Sequence, residues 1–85
     1  MKKITIYTTP YCPFCIRAKQ LLKNKNIEFQ EIDLSEEPDQ FDEMSKKSNG
    51  ARTVPQIFVD DTHIGDCDYI HELDNKGKLD KILGI

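Results

Sequence analysis

The stretch KITIYTTPYCPFCIRAKQLLKNKNIEFQEI, residues 3–32, decides the architecture. Lys3-Ile4-Thr5-Ile6-Tyr7-Thr8 is rich in β-branched and aromatic residues and alternates at period two, the pattern of a strand that stops at Thr9-Pro10. From Pro13 onward Phe14, Ala18, Leu21 and Leu22 recur at helical spacing, with Arg17, Lys19, Lys23 and Lys25 facing outward. The spacing predicts an amphipathic helix that closes over Asn24 to Asn26. Ile27-Glu28-Phe29-Gln30-Glu31-Ile32 reads as a second strand, and strand, helix and strand with short joins imply a right-handed parallel crossover.

Beyond that unit, Ser35 offers a cap and Glu36 and Glu37 early acidic residues for a second helix, with Phe41 and Met44 as its apolar stripe and Asn49-Gly50 near its end. Gln56-Ile57-Phe58-Val59 and Thr62-His63-Ile64 flank Asp60-Asp61, the pattern of a tight hairpin. Asp66 or Asp68 can cap a third helix carrying Ile70 and Leu73, and Leu79, Ile82 and Leu83 suggest a last helical turn or two. The expected class is α/β, a four-stranded mixed sheet flanked by helices.

Eighty-five residues leave room for one core, so residues 1–85 are expected to form one domain acting as a monomer. The net charge of -3 and the pI near 5.3 argue against a phosphate-binding surface, and no nucleic-acid partner is expected. The apolar runs are far shorter than the roughly 20 residues that span a bilayer. Lys2-Lys3-Ile4 leads into an alternating stretch and not into a signal-peptide core, so a membrane partner is not expected and a cytoplasmic location is. Three cysteines, an odd number, fit poorly with a secreted disulfide framework.

Cys12-Pro13-Phe14-Cys15 carries the chemistry. Thiols react as thiolates, and a helix beginning at Pro13 would leave Cys12 at the cap, with the amides of Phe14 and Cys15 and the positive end of the helix dipole directed at its sulfur. The first cysteine of related C-x-x-C sites ionises at about 3.5 to about 7, against about 8.5 for a free thiol, which marks Cys12 as the nucleophile. Cys15, one turn on, lies within roughly 5–6 Å by β-carbon and is the resolving thiol. The competing reading is half of a zinc site. It would have to recruit Cys67, His63 and His71, and the βαβ setting favours redox use without a metal.

Tyr11-Cys12-Pro13-Phe14-Cys15, Thr53-Val54-Pro55-Gln56-Ile57-Phe58 and His63-Ile64-Gly65-Asp66-Cys67-Asp68, in that order, resemble the dithiol glutaredoxins, most closely the short bacterial glutaredoxin 3 kind. The resemblance runs from end to end. It implies a thioredoxin-like fold, glutathione as reducing co-substrate and protein disulfides or glutathionylated proteins as partners, with ribonucleotide reductase among the candidates. It also implies a cis Val54-Pro55 bond, where composition alone favours a trans proline opening a strand, and a Val54 backbone that pairs with the cysteinyl part of glutathione. Gly65 to Asp68 match the loop that holds the γ-glutamyl end: the amides of Cys67 and Asp68 for its carboxylate and the Asp68 side chain for its amino group. Cys67 itself reads as a compact buried residue.

The chain departs from the family pattern at three places. Asp66 stands where many relatives have a second glycine, and its carboxylate would oppose that of glutathione unless it turns away to cap the helix. Thr9 replaces a common lysine, which leaves Arg52 beside Thr53 either to take the glycyl carboxylate or to be a solvated charge. Phe14 keeps an apolar ring without the usual tyrosine hydroxyl. Two other functions compete: a thioredoxin-like reductant served by a flavoprotein reductase, and an iron–sulfur carrier ligated by Cys12 and glutathione in a dimer. The glutathione loop that the resemblance implies speaks against the first and Pro13 after Cys12 against the second, which leaves the glutathione-dependent oxidoreductase.

Overall fold

A computed structural model describes residues 2–85. In chain order the elements are β1 (Ile4–Thr8), α1 (Pro13–Asn24), β2 (Gln30–Asp33), α2 (Gln40–Lys47), β3 (Gln56–Val59), β4 (Thr62–Gly65), α3 (Cys67–Asn75) and α4 (Leu79–Leu83). The sheet order is β2-β1-β3-β4, with β1 parallel to β2 and antiparallel to β3, and β3 antiparallel to β4. This is the expected mixed sheet, and α1 is the crossover of its parallel pair.

Alternation along the central strands divides the core in two. Ile4 and Ile6 of β1 and Ile57 and Val59 of β3 face α1, α3 and α4, packing with Ala18, Leu22, Ile70, Leu73, Leu79 and Leu83. Tyr7 and Phe58 point to the other face, where Leu34 and Met44 cover them with α2. Their rings meet edge to face at 5.4 Å.

Several boundaries differ from the sequence reading, each for a local reason. The second strand starts at Gln30 and not at Ile27, because Asn26, at φ 58°, closes α1 in a Schellman motif: the Ile27 amide donates to the Leu22 carbonyl and the Asn26 amide to that of Lys23. Ile27 and Leu22 then share the core contact that accompanies such a cap. Ser35 does not cap α2; its amide and hydroxyl both donate to Asp33 Oδ1 in a separate turn, and α2 begins only at Gln40. Phe14 is 50% exposed, so the buried stripe of α1 is Cys15, Ala18 and Leu22. Lys19 and Lys25 are not simply solvated: Lys19 pairs with Glu31, and Lys25 bridges Asp74 and Asp80. The Asp60-Asp61 hairpin forms as expected, with φ of 49° and 68°, the paired positive values of a type I′ turn.

Candidate functional site

The first turn of α1 builds the thiol pair. Tyr11, with φ 61° and a side chain 99% exposed, reverses the chain after Pro10, and Pro13 occupies the first helical turn, where no amide is missed. Cys12 caps the helix in an extended conformation: the Cys15 amide donates to its sulfur at 3.2 Å, and its carbonyl accepts from the Ile16 amide at 3.1 Å. Cys12 is partly exposed, whereas Cys15 is 1% exposed. Burial first, and then the hydrogen bond to Cys12 sulfur, push the Cys15 thiol up to about 12, against the opposing pull of the Thr9 backbone and Lys19. Cys15 therefore keeps its proton throughout the neutral range, and the accessible sulfur is that of Cys12.

Beside the pair lies a cavity of about 260 Å³. Phe14 forms one wall, Thr53, Val54 and Pro55 a second, and Asp66, Cys67 and Asp68 at the start of α3 a third. The Val54-Pro55 bond is cis, as the resemblance implied. The Val54 side chain is anchored away in the Tyr7–Leu34–Met44–Phe58 cluster. Asp66 settles the choice of cap: its Oδ1 accepts from the Tyr69 amide at 2.9 Å. The amides of Cys67 and Asp68, the first two of the helix, have no intrahelical carbonyl to reach. Cys67 is buried, and burial above all pushes its thiol upward despite the opposing charge of Arg17.

Of the residues singled out in the sequence, Phe14, Thr53, Val54, Pro55, Cys67 and Asp68 line this one cavity. Gly65 lines an adjoining groove that shares Thr53 and Asp66 with it. A Cβ at Gly65 would come within 2.6 Å of Tyr69 Cδ2, and its φ of 150° is one that side chains rarely adopt, so glycine is required there. Arg52 is not in the lining; its guanidinium carbon stands 5.1 Å above the Phe41 ring. Among the described residues, no three His, Cys, Asp or Glu side chains gather as metal ligands would.

Two side-chain networks behind the site escaped the sequence reading. Glu31 on β2 receives Thr8 Oγ1 at 2.7 Å and Lys19 Nζ at 2.9 Å, tying the end of β1 to α1 below the thiols. Burial opposes ionisation of Glu31, but these two donors outweigh it and hold its carboxyl below the usual range. The second network joins Thr53, Gln56 and His63. Its one sequence signal was a polar residue, Gln56, heading an otherwise apolar strand.

The glutaredoxin family model matches residues 4–64. Glutaredoxin 3 of Escherichia coli K12 is 47% identical over 83 residues, covering 98% of this chain and 99% of its own. The solution structure of a Brucella melitensis glutaredoxin superposes with a TM-score of 0.83 at 47% identity, over 98% of this chain and 89% of that one. A buckwheat glutaredoxin–glutathione complex gives a TM-score of 0.85 at 31% identity, over 96% of this chain and 76% of that one.

Proposed function

The chain belongs to the glutaredoxin family of thiol–disulfide oxidoreductases, and from that premise we propose that it draws its electrons from glutathione, with Cys12 as nucleophile and Cys15 as resolving thiol. One observation carries this reading: a partly exposed sulfur at a helix N-terminus accepts an amide at 3.2 Å, while its neighbour one turn deeper stays protonated.

In the monothiol route the Cys12 thiolate attacks the glutathionyl sulfur of a glutathionylated protein. A Cys12–glutathione disulfide forms, and the protein sulfur leaves as a thiolate and takes up a proton. A second glutathione thiolate then attacks the glutathionyl sulfur, giving oxidised glutathione and free Cys12. In the dithiol route the Cys12 thiolate attacks a protein disulfide, forming a mixed disulfide and releasing one protein sulfur as a thiolate that takes up a proton; Cys15 sulfur then attacks Cys12 sulfur, its proton passing to the second protein sulfur as that leaves. Two glutathiones reopen the Cys12–Cys15 bond, a reduction made feasible by the family potential of about -200 to -230 mV. Ribonucleotide reductase is one candidate among the disulfide-bearing partners, and the cytoplasm is the compartment that keeps such a thiol pair reduced.

For glutathione binding, the Val54 main chain receives the cysteinyl residue, between Phe14 on one side and Thr53 and Pro55 on the other. The Cys67 and Asp68 amides take the γ-glutamyl carboxylate, the Asp68 side chain takes the amino group, and Gly65 gives the chain its path into α3. Arg52 serves the glycyl carboxylate by swinging off Phe41. Cavity lining and likeness to a glutathione-bound relative support this arrangement. The test is Cys15→Ser: it should retain removal of glutathione from glutathionylated protein and lose reduction of protein disulfides. A variant that loses both, or an oxidised wild type that glutathione fails to reduce, overturns the reading.

A further inference from the structure

The Gln56 side chain is 3% exposed, directly after cis-Pro55, and all its polar atoms are committed. Its Nε2 donates to the Thr53 carbonyl at 3.1 Å and lies 3.3 Å from Thr53 Oγ1; its Oε1 is 2.6 Å from His63 Nε2. A carbonyl only accepts, so the Gln56 atom facing Thr53 must be the amide nitrogen, and the oxygen must face His63. His63 Nε2 must then carry a proton. The ring is held for this by packing on Phe58, centroid to centroid 5.2 Å, across the β3–β4 pair.

The Thr53-Val54 peptide is planar and trans, so its carbonyl and its N–H point in opposite directions. Drawing the Thr53 carbonyl inward to Gln56 therefore turns the Val54 N–H outward, on the stretch that lines the cavity. A reversed peptide would direct the Val54 N–H at Gln56, which could receive it only by rotating its amide and facing its NH₂ group toward the His63 N–H. We propose that His63 is a positioning residue: by fixing the orientation of the Gln56 amide, it keeps the Val54 N–H presented to the main chain of bound glutathione. The ligand rests on the function proposed above; the orientation of the peptide does not.

The test compares His63→Phe, which keeps a ring against Phe58 and deletes the donor, with His63→Gln, which keeps a donor near the same place and loses the ring. In the ligand-free protein, the Val54 amide resonance should shift or double in His63→Phe and stay close to wild type in His63→Gln. With the mixed disulfide of glutathione and mercaptoethanol as substrate, His63→Phe should raise KM by about 3- to 10-fold, the worth of one misaligned hydrogen bond, at nearly unchanged kcat. His63→Gln should restore it. An unchanged Val54 resonance in His63→Phe, or equal defects in both variants, overturns the proposal. Should the wild type show no saturation by this substrate, the glutathione reading fails, and the Val54 resonance alone decides the role of His63.

Discussion

Asp66 Oδ1 and the Tyr69 amide nitrogen lie 2.9 Å apart, so a carboxylate at the mouth of the cavity is occupied in capping α3. Replacing it separates its two properties. Asp66→Ala should lose about 1 kcal/mol of unfolding free energy, the usual worth of an N-cap. Asp66→Asn keeps an acceptor and removes the charge, so it should stay within about 0.5 kcal/mol of wild type. It should also bind glutathione more tightly at low salt than at high salt, relative to wild type. Urea unfolding and calorimetric titration at two salt concentrations measure both effects.

Burial of Cys15 gives the protein an alkaline limb. Its thiol stands at about 12 in the folded chain, against about 8.5 for a free thiol. Between those values the unfolded chain has released a proton that the folded chain retains, so this contribution to stability is complete below the lower value and disappears as pH rises toward the upper one. Wild type should lose stability through that window, and Cys15→Ser should lose less. Iodoacetamide at neutral pH should label Cys12 and leave Cys15 unlabelled, as peptide mass mapping can establish.

Lys25 closes the end of the molecule opposite the thiols. Its Nζ lies 2.7 Å from Asp74 Oδ1 and 2.5 Å from Asp80 Oδ1, joining the ends of α1 and α3 to α4. Hydrogen bonds to Asp74 and then Asp80 raise its pKa above the ordinary lysine value. Its contribution is therefore present below that value and fades as pH climbs through the raised one. Lys25→Met should lower stability by about 1 kcal/mol at neutral pH and low salt, less in high salt, and leave activity intact. Thermal unfolding and a turnover assay check both.

The βαβ unit, the hairpin and the thiol pair were legible because each is written in adjacent residues: alternation in Ile4 to Thr8, two aspartates between apolar runs, a proline after a cysteine. Cavity walls from three separate segments came instead from the family resemblance, since no local pattern brings Phe14, Val54 and Asp68 together. Ile27 was misassigned because an apolar residue that seals a helix end looks the same, in sequence, as one that opens a strand. Ser35 looked like a cap because nothing nearby revealed that Asp33 would take both of its donors. The two-residue turn sets His63 opposite Phe58, but the bond from His63 to Gln56 runs diagonally, two residues along β3 and past a bulge between Ile57 and Phe58, and no count along the chain foretells a bulge.

The two faces of the sheet are unequally upholstered: among the described residues, twelve buried ones gather on the side of α1, α3 and α4, and four on the side of α2. The cysteines hang from the thick side, while Val54 leans on the thin one. Local opening of α2, the lighter cover, should therefore loosen the Val54 wall of the cavity before it disturbs Cys12.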